Sequence, residues 1–105
     1  MRYAVDLTDE AWAKIRAQAF YIAEEAGAPL NAVRWLERVL DAAETLETSP
    51  RRCALALEAP FFPFELRALS VDGFLLLFTV DDSEGVVRVL SARHGRQLPE
   101  NYSGR

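Results

Sequence analysis

The stretch Phe74-Leu75-Leu76-Leu77-Phe78-Thr79-Val80 constrains this chain more than any other segment. On a strand, Phe74, Leu76, Phe78 and Val80 point one way, and Leu75, Leu77 and Thr79 the other. Both faces are apolar, the mark of a central strand covered on two sides. Asp72-Gly73 just before it is a two-residue hairpin signal, which pairs it with a strand over Phe64–Val71. After the polar turn Asp81–Gly85, Val86–Ala92 reads as a third strand. The second half of the chain is therefore expected to be an antiparallel meander.

The first half reads differently. Tyr3, Val5 and Leu7 alternate with Arg2, Ala4 and Asp6, giving a short strand with one buried face. Thr8 offers a side-chain oxygen as N-cap, with Asp9 and Glu10 in the first turn, where the helix dipole favours negative charge. Trp12, Ile15, Ala19, Ile22, Ala23 and Ala26 then fall at helical spacing, and Gly27 is placed to end that helix in the left-handed conformation. Pro29 suits the first turn of a second helix. Its expected inward stripe is Val33, Leu36, Val39, Leu40, Ala43 and Leu46, and Thr48-Ser49-Pro50 stops it. Two helices joined by so short a turn are antiparallel neighbours. The expected fold is α+β: an N-terminal strand, an antiparallel helical hairpin, then a three-stranded antiparallel meander in one small sheet.

A chain of 105 residues is the size of one domain, expected to span 1–105, with no repeat or linker. Its helical hairpin can blanket only one face of the sheet. The other face is left to the irregular stretch 49–63 or to a second polypeptide, since an uncovered apolar face usually marks a partner site. Folding over of Phe61, Phe62 and Phe64 is the competing expectation.

Charge narrows the partners. The formal net charge is −4, but residues 86–105 carry four arginines against one glutamate. An acidic chain lacks the broad basic footprint of a domain that lives on phosphate contacts, so direct DNA binding by this chain alone is not expected. Cys53 is the only cysteine, which excludes an internal disulfide. The longest aliphatic or aromatic run, Phe74–Phe78, falls far short of the roughly 20 residues that cross a bilayer. The N-terminus has no apolar signal-peptide core. A soluble cytoplasmic protein, without membrane association, is expected. With no Gly-rich phosphate loop and no His/Cys ligand spacing, neither cofactor nor metal is expected.

The order of these pieces resembles the RelE/ParE superfamily of toxins from type II toxin–antitoxin modules. The residues that carry the resemblance are Tyr21-Ile22-Ala23 through Gly27-Ala28-Pro29, then Ala32-Val33-Arg34-Trp35-Leu36, and Leu46 with Ser49-Pro50-Arg51. Phe64-Glu65-Leu66-Arg67 follows, then Gly73 through Asp81, and finally Val89 through Arg96. The resemblance implies a bacterial toxin neutralised by a cognate antitoxin whose C-terminal segment wraps across it. It also implies that the first strand lies at a sheet edge, outside the meander. RelE-like members cleave mRNA in the ribosomal A site, whereas ParE-like members inhibit DNA gyrase.

Side chains separate those activities. Cleaving RNA through its own 2′-oxygen needs a proton acceptor, cations for the phosphorane and a donor for the leaving oxygen. By resemblance, Arg67 matches the arginine of the first meander strand, Arg93, His94 and Arg96 match the basic cluster at the sheet end, and Tyr102 offers a tail aromatic. Arg51 and Arg52 lie near a region where the nucleases carry lysines. Against this, Leu75 stands where many members have an arginine, and the single lysine, Lys14, is expected far from any such site.

Each residue also has a plainer role: Arg67 pairing with Glu65 or a carboxylate across the sheet, His94 as an exposed turn residue just past a strand, Trp12 and Trp35 as hairpin packing. As a binding surface, Leu75, Leu77, Arg67, Arg93, Arg96, Trp12 and Trp35 are the expected contacts to antitoxin or target. The favoured expectation is a ParE-like toxin acting on gyrase. A ribosome-dependent mRNA endonuclease using Arg67, Arg93 and His94 is the enzymatic alternative, and a toxin-like fold that keeps only antitoxin binding is the third.

Overall fold

Alternating apolar residues place β1 at Ala4–Leu7, with Val5 and Leu7 packed on the core beside the buried Tyr3. The computed structural model describes residues 2–96. Thr8 caps the next helix, α1 (Asp9–Phe20): its Oγ1 accepts from the Ala11 N–H at 3.2 Å. The cap side chain also donates toward the Val89 and Leu90 carbonyls at 3.1 and 3.0 Å, tying the start of α1 to the last strand.

The first helix does not run regularly to Gly27. From Tyr21 to Glu25 it widens into a π turn, in which the Ala26 N–H reaches back to the Tyr21 carbonyl at 3.1 Å. Gly27 then takes a left-handed φ of 64°, and the Ala28 N–H closes on the Ile22 carbonyl at 3.1 Å. The π turn leaves Phe20, Tyr21 and Ala26 exposed, so Ala26 drops out of the expected stripe.

Helix α2 (Pro29–Glu44) is rotated relative to expectation. Ala32, Trp35, Val39 and Ala43 are buried, followed by Leu46, while Leu36 and Leu40 are half-buried and Val33 is exposed. The cause is Trp35, whose indole packs edge-on against Phe74 with ring centroids 5.1 Å apart. So large an apolar surface gains more from burial than Val33 does. Trp35 is therefore a core residue and not a partner contact.

The sheet has the order β1-β4-β3-β2, with β2 at Arg67–Val71, β3 at Phe74–Asp81 and β4 at Val86–His94. β1 lies at one edge, parallel to β4, and the other pairings are antiparallel. Asp72 and Gly73 both adopt positive φ, 52° and 82°, the mirror-image turn their sequence demands. Strand β2 begins at Arg67 rather than Phe64, because Leu66 turns in to be buried beneath Ala56. Strand β4 extends past Ala92 to His94, so His94 ends the strand instead of following it.

One irregularity decides which way the last residues point. Leu77 pairs with Ser91 but Phe78 pairs with Val89, leaving Leu90 as an extra residue in a β-bulge. Simple alternation would put Arg93 on the face of Val87 and Val89. The bulge instead sends Ala92 to that face, where all three are buried in the main core, and turns Arg93 to the reverse side.

The helices cover the face of Phe74, Leu76 and Phe78, which form the main core with Ile15, Val39 and Leu46. The reverse face is not open. Residues 53–66 fold back across it as a strap containing a 3₁₀ turn at Ala59–Phe61. Ala56, Leu66 and Leu77 make a second small core, with Phe62, Ala59, Leu75 and Leu90 packed around it. Leu77 is only 6% exposed, so it is not a free docking residue, and Leu75 is half-buried in the same cluster. Of the three phenylalanines expected to close this face, Phe62 does so, while Phe61 and Phe64 remain exposed. The greasy surface has been passed outward to the strap, whose exposed residues include Leu55 and Leu57. Among the described residues, no helix is long and apolar enough to cross a membrane.

Candidate functional site

Arg67 opens β2 at the edge of the sheet, opposite Phe78. Its Nη1 donates to the Cys53 carbonyl at 2.6 Å and its Nη2 to Glu65 Oε1 at 3.0 Å, the pairing its plainer role implies. Its Nε is buried without a hydrogen-bond partner. The neighbouring Arg51 sits 4.0 Å from the same Glu65 oxygen and donates through Nη2 to Asp82 Oδ2 at 2.8 Å. Asp82 Oδ1 also accepts from the Tyr3 hydroxyl at 2.6 Å.

This network shifts its members in opposite directions. Hydrogen bonds from Arg51 and then Tyr3 hold the Asp82 carboxyl below the usual carboxylate range. The hydrogen bond to Asp82 raises the Tyr3 phenol, and the same carboxylate raises Arg51. Asp81, bound by Ser83, Arg88 and the Glu84 N–H, is likewise lowered. The cations at this end of the sheet are thus neutralised within the chain. A cavity of about 320 Å³ lies here, lined by Arg51, Phe64, Glu65, Arg67, Thr79 and Val80.

Arg93 stands opposite Leu75, on the far side of β3 and farther along it. Its Nε donates to Glu58 Oε2 at 2.6 Å and its Nη2 to Glu58 Oε1 at 3.2 Å, a two-pronged pair beneath the strap. With Phe78 and Leu75 as their partners on β3, Arg67 and Arg93 are offset by roughly 10 Å along the strand. They also lie on opposite faces. His94, one residue on, turns back to the helix side opposite Phe74. The structure does not bring Arg67 to Arg93 and His94, although Arg93 and His94 line one cavity.

It does bring other residues together. A cavity of about 560 Å³ between α1 and the end of β4 is lined by Lys14, Gln18, Tyr21, His94 and Arg96 among others. Lys14 is therefore not remote from the basic end of the sheet. The helix that carries it packs across β4, a relation that no local pattern reveals. The sequence signal for this cavity is the break in phase between Val89 and Ala92, which marks the bulge. Beside the cavity, the Gly95 N–H donates to the Gly73 carbonyl at 2.7 Å, joining two loops at one sheet end.

The remaining residues have structural roles. Arg52 donates from Nη1 to the Thr48 and Ser49 carbonyls at 3.1 and 3.2 Å, and from Nη2 to Thr45 Oγ1 at 2.7 Å. It closes the C-terminal end of the second helix, where cations are favoured. Trp12 is half-buried, with the Arg16 guanidinium 5.9 Å from its ring, so part of it stays available to a partner. Tyr102 lies outside the described residues. Among the described residues, no group of three His, Cys, Asp or Glu side chains is placed to hold a metal ion.

The family model for the ParE toxin of type II toxin–antitoxin systems, parDE, matches residues 5–99. The fold is similar to a chain of the chromosomal ParDE system from P. aeruginosa, with a TM-score of 0.68 at 16% identity over 89% of this chain and 96% of that one. It is also similar to a chain of the RelBE2 toxin–antitoxin complex from Mycobacterium tuberculosis, with a TM-score of 0.64 at 21% identity, covering 90% and 99% of the two chains. A chain of the archaeal RelE–RelB complex from Pyrococcus horikoshii gives a TM-score of 0.60 at 14% identity, covering 93% and 100%. No curated protein sequence matches the chain.

Proposed function

The chain belongs to the ParE toxin family of type II toxin–antitoxin systems, and from that premise we propose that it is held by a cognate antitoxin and inhibits DNA gyrase when free. The observation that carries this reading is the state of its arginines. Arg67 is bound to Glu65, Arg51 to Asp82, and Arg93 to Glu58, each by a carboxylate of the same chain. A nuclease needs cations free to meet charge developing on a phosphorane, converging on one reacting centre. Here Arg51, Arg67 and Arg93 are each paired, and Arg67 and Arg93 face opposite sides of the sheet. Inhibition by binding asks only for a surface, so this pairing costs it nothing. Purified gyrase should lose supercoiling activity as the chain is added. Undiminished supercoiling at saturating toxin would reject the proposal.

A second reading has one observation in its favour. His94, Lys14, Arg96 and Tyr21 share a single cavity, which supplies an imidazole, two cations and a phenol. Messenger cleavage on programmed ribosomes that is lost in His94→Ala would support that reading.

A further inference from the structure

The strap carries an unfinished sheet edge. Ala54–Ala56 runs antiparallel beside β2: the Ala56 N–H donates to the Leu66 carbonyl at 2.8 Å, and the Ala68 N–H to the Ala54 carbonyl at 3.0 Å. These two bonds bracket Leu55 and Arg67 as a non-hydrogen-bonded pair. In such a pair the N–H and C=O of Leu55 point away from β2, out of the sheet. Among the described residues neither group has a hydrogen bond.

Natural edge strands are normally blunted by a charge, a proline or a bulge. The opposite edge, β1, is blunted by the exposed Asp6. Ala54-Leu55-Ala56-Leu57 carries none of these devices. Leu55 and Leu57 are 54% and 63% exposed. They open onto a groove of about 760 Å³ whose other apolar walls are Pro60, Phe62, Pro63 and Phe64.

Area decides what fits. The exposed parts of Leu55, Leu57, Phe61 and Phe64 sum to on the order of 400 Å², taking about 200 Å² for a large side chain. A stable interface buries about 800 Å² on each partner. Two copies of this chain paired edge to edge would bury about half of that. An extended segment of another protein can pair here and continue over adjoining surface.

We infer that Leu55 is a strand-addition point, where the antitoxin lays down an extended segment with apolar residues at alternate positions. Its main chain pairs with the N–H and C=O of Leu55, and its side chains enter the Leu55–Phe64 groove. The inference rests on the reading of the chain as one half of a toxin–antitoxin pair. It is independent of whether gyrase is the target.

Amide exchange of the full chain, alone and in its co-purified complex with the antitoxin, tests it directly. The Leu55 amide should exchange rapidly in the free chain and slow by more than about tenfold in the complex. Leu55→Pro removes a donor that no group among the described residues uses, a change tolerated at a solvent-facing edge. It should weaken antitoxin binding by about tenfold, the worth of one hydrogen bond, beyond the loss caused by Leu55→Ala. Equal exchange in both states overturns the inference, as does equal binding by the two variants. Concentration-dependent protection of Leu55 in the free chain also overturns it, in favour of self-pairing. If Leu55→Pro does not fold, the exchange result decides alone. If gyrase proves unaffected while Leu55 is protected, the target reading falls and the strand-addition point stands.

Discussion

Arg93 Nε lies 2.6 Å from Glu58 Oε2, and both side chains are more than nine-tenths buried. The pair pins the strap to β4 across the reverse face of the sheet. A buried pair of this kind contributes little net stability, because desolvation offsets most of the attraction. Breaking it is another matter. Glu58→Gln or Arg93→Met alone strands a charge in an apolar setting and should cost about 3–5 kcal/mol. The double variant should recover much of that loss. Urea denaturation of the three variants tests this, and additive losses would show that the two residues act separately.

Trp35 and Val33 lie on the same helix but on different sides of it. Trp35→Ala empties the space against Phe74 and should cost about 3–5 kcal/mol. Val33→Ala at the exposed position should stay within about 0.5 kcal/mol. Thermal or urea melts of the two distinguish the rotated helix from the stripe that simple periodicity suggests.

That rotation shows how far the sequence reaches. The strand at Tyr3–Leu7, the hairpin closed by Gly27, and the Asp72-Gly73 turn all follow from local spacing, since each depends on neighbours a few residues away. Trp35 defeats such spacing because its place is set by Phe74, far along the chain. The bulge at Leu90 inserts one residue, and a single step reverses every later side chain, so Arg93 and His94 could not be assigned to faces from alternation. Glu58 gives no local hint of Arg93 at all. The apolar character of both faces of β3 was plain in the sequence. That its own chain would seal the reverse face was not, because the strap has no periodicity and is positioned by that one buried pair and by Phe62 and Leu66.

The carboxylates around the β3–β4 turn set the acid limb of stability. Asp81 and Asp82 are both lowered in the folded chain, the first by Ser83 and Arg88 and the second by Arg51 and Tyr3. A lowered group stabilises the fold at pH values above its unfolded value, about 3.9, and that contribution is lost as pH falls through the folded value. Tyr3, raised by Asp82, contributes below about 10 and loses its contribution as pH rises through its folded value. Stability measured by urea midpoint should fall as pH drops below about 4, and less steeply in Asp82→Asn. An identical acid profile in that variant would contradict the network.

Gly95 tests how tightly the basic end of the sheet is held. A β-carbon there would lie 2.9 Å from the Gly73 carbonyl oxygen, so the backbone must shift to admit it. Gly95→Ala should therefore destabilise the fold by about 1–3 kcal/mol and broaden the resonances of His94 and Arg96. A variant with unchanged stability and spectra would show that the two loops are not joined.

The central claim is that a chain whose Arg51, Arg67 and Arg93 are each paired with a carboxylate of its own acts by holding a protein target rather than by cutting RNA. One parallel series measures it: the purified chain is added to gyrase supercoiling a plasmid and to ribosomes programmed with a defined message. The account predicts supercoiling that falls with added toxin and returns when antitoxin is supplied, while the message stays full length. Supercoiling that persists at saturating toxin, with the message cut in the ribosomal A site, would contradict it.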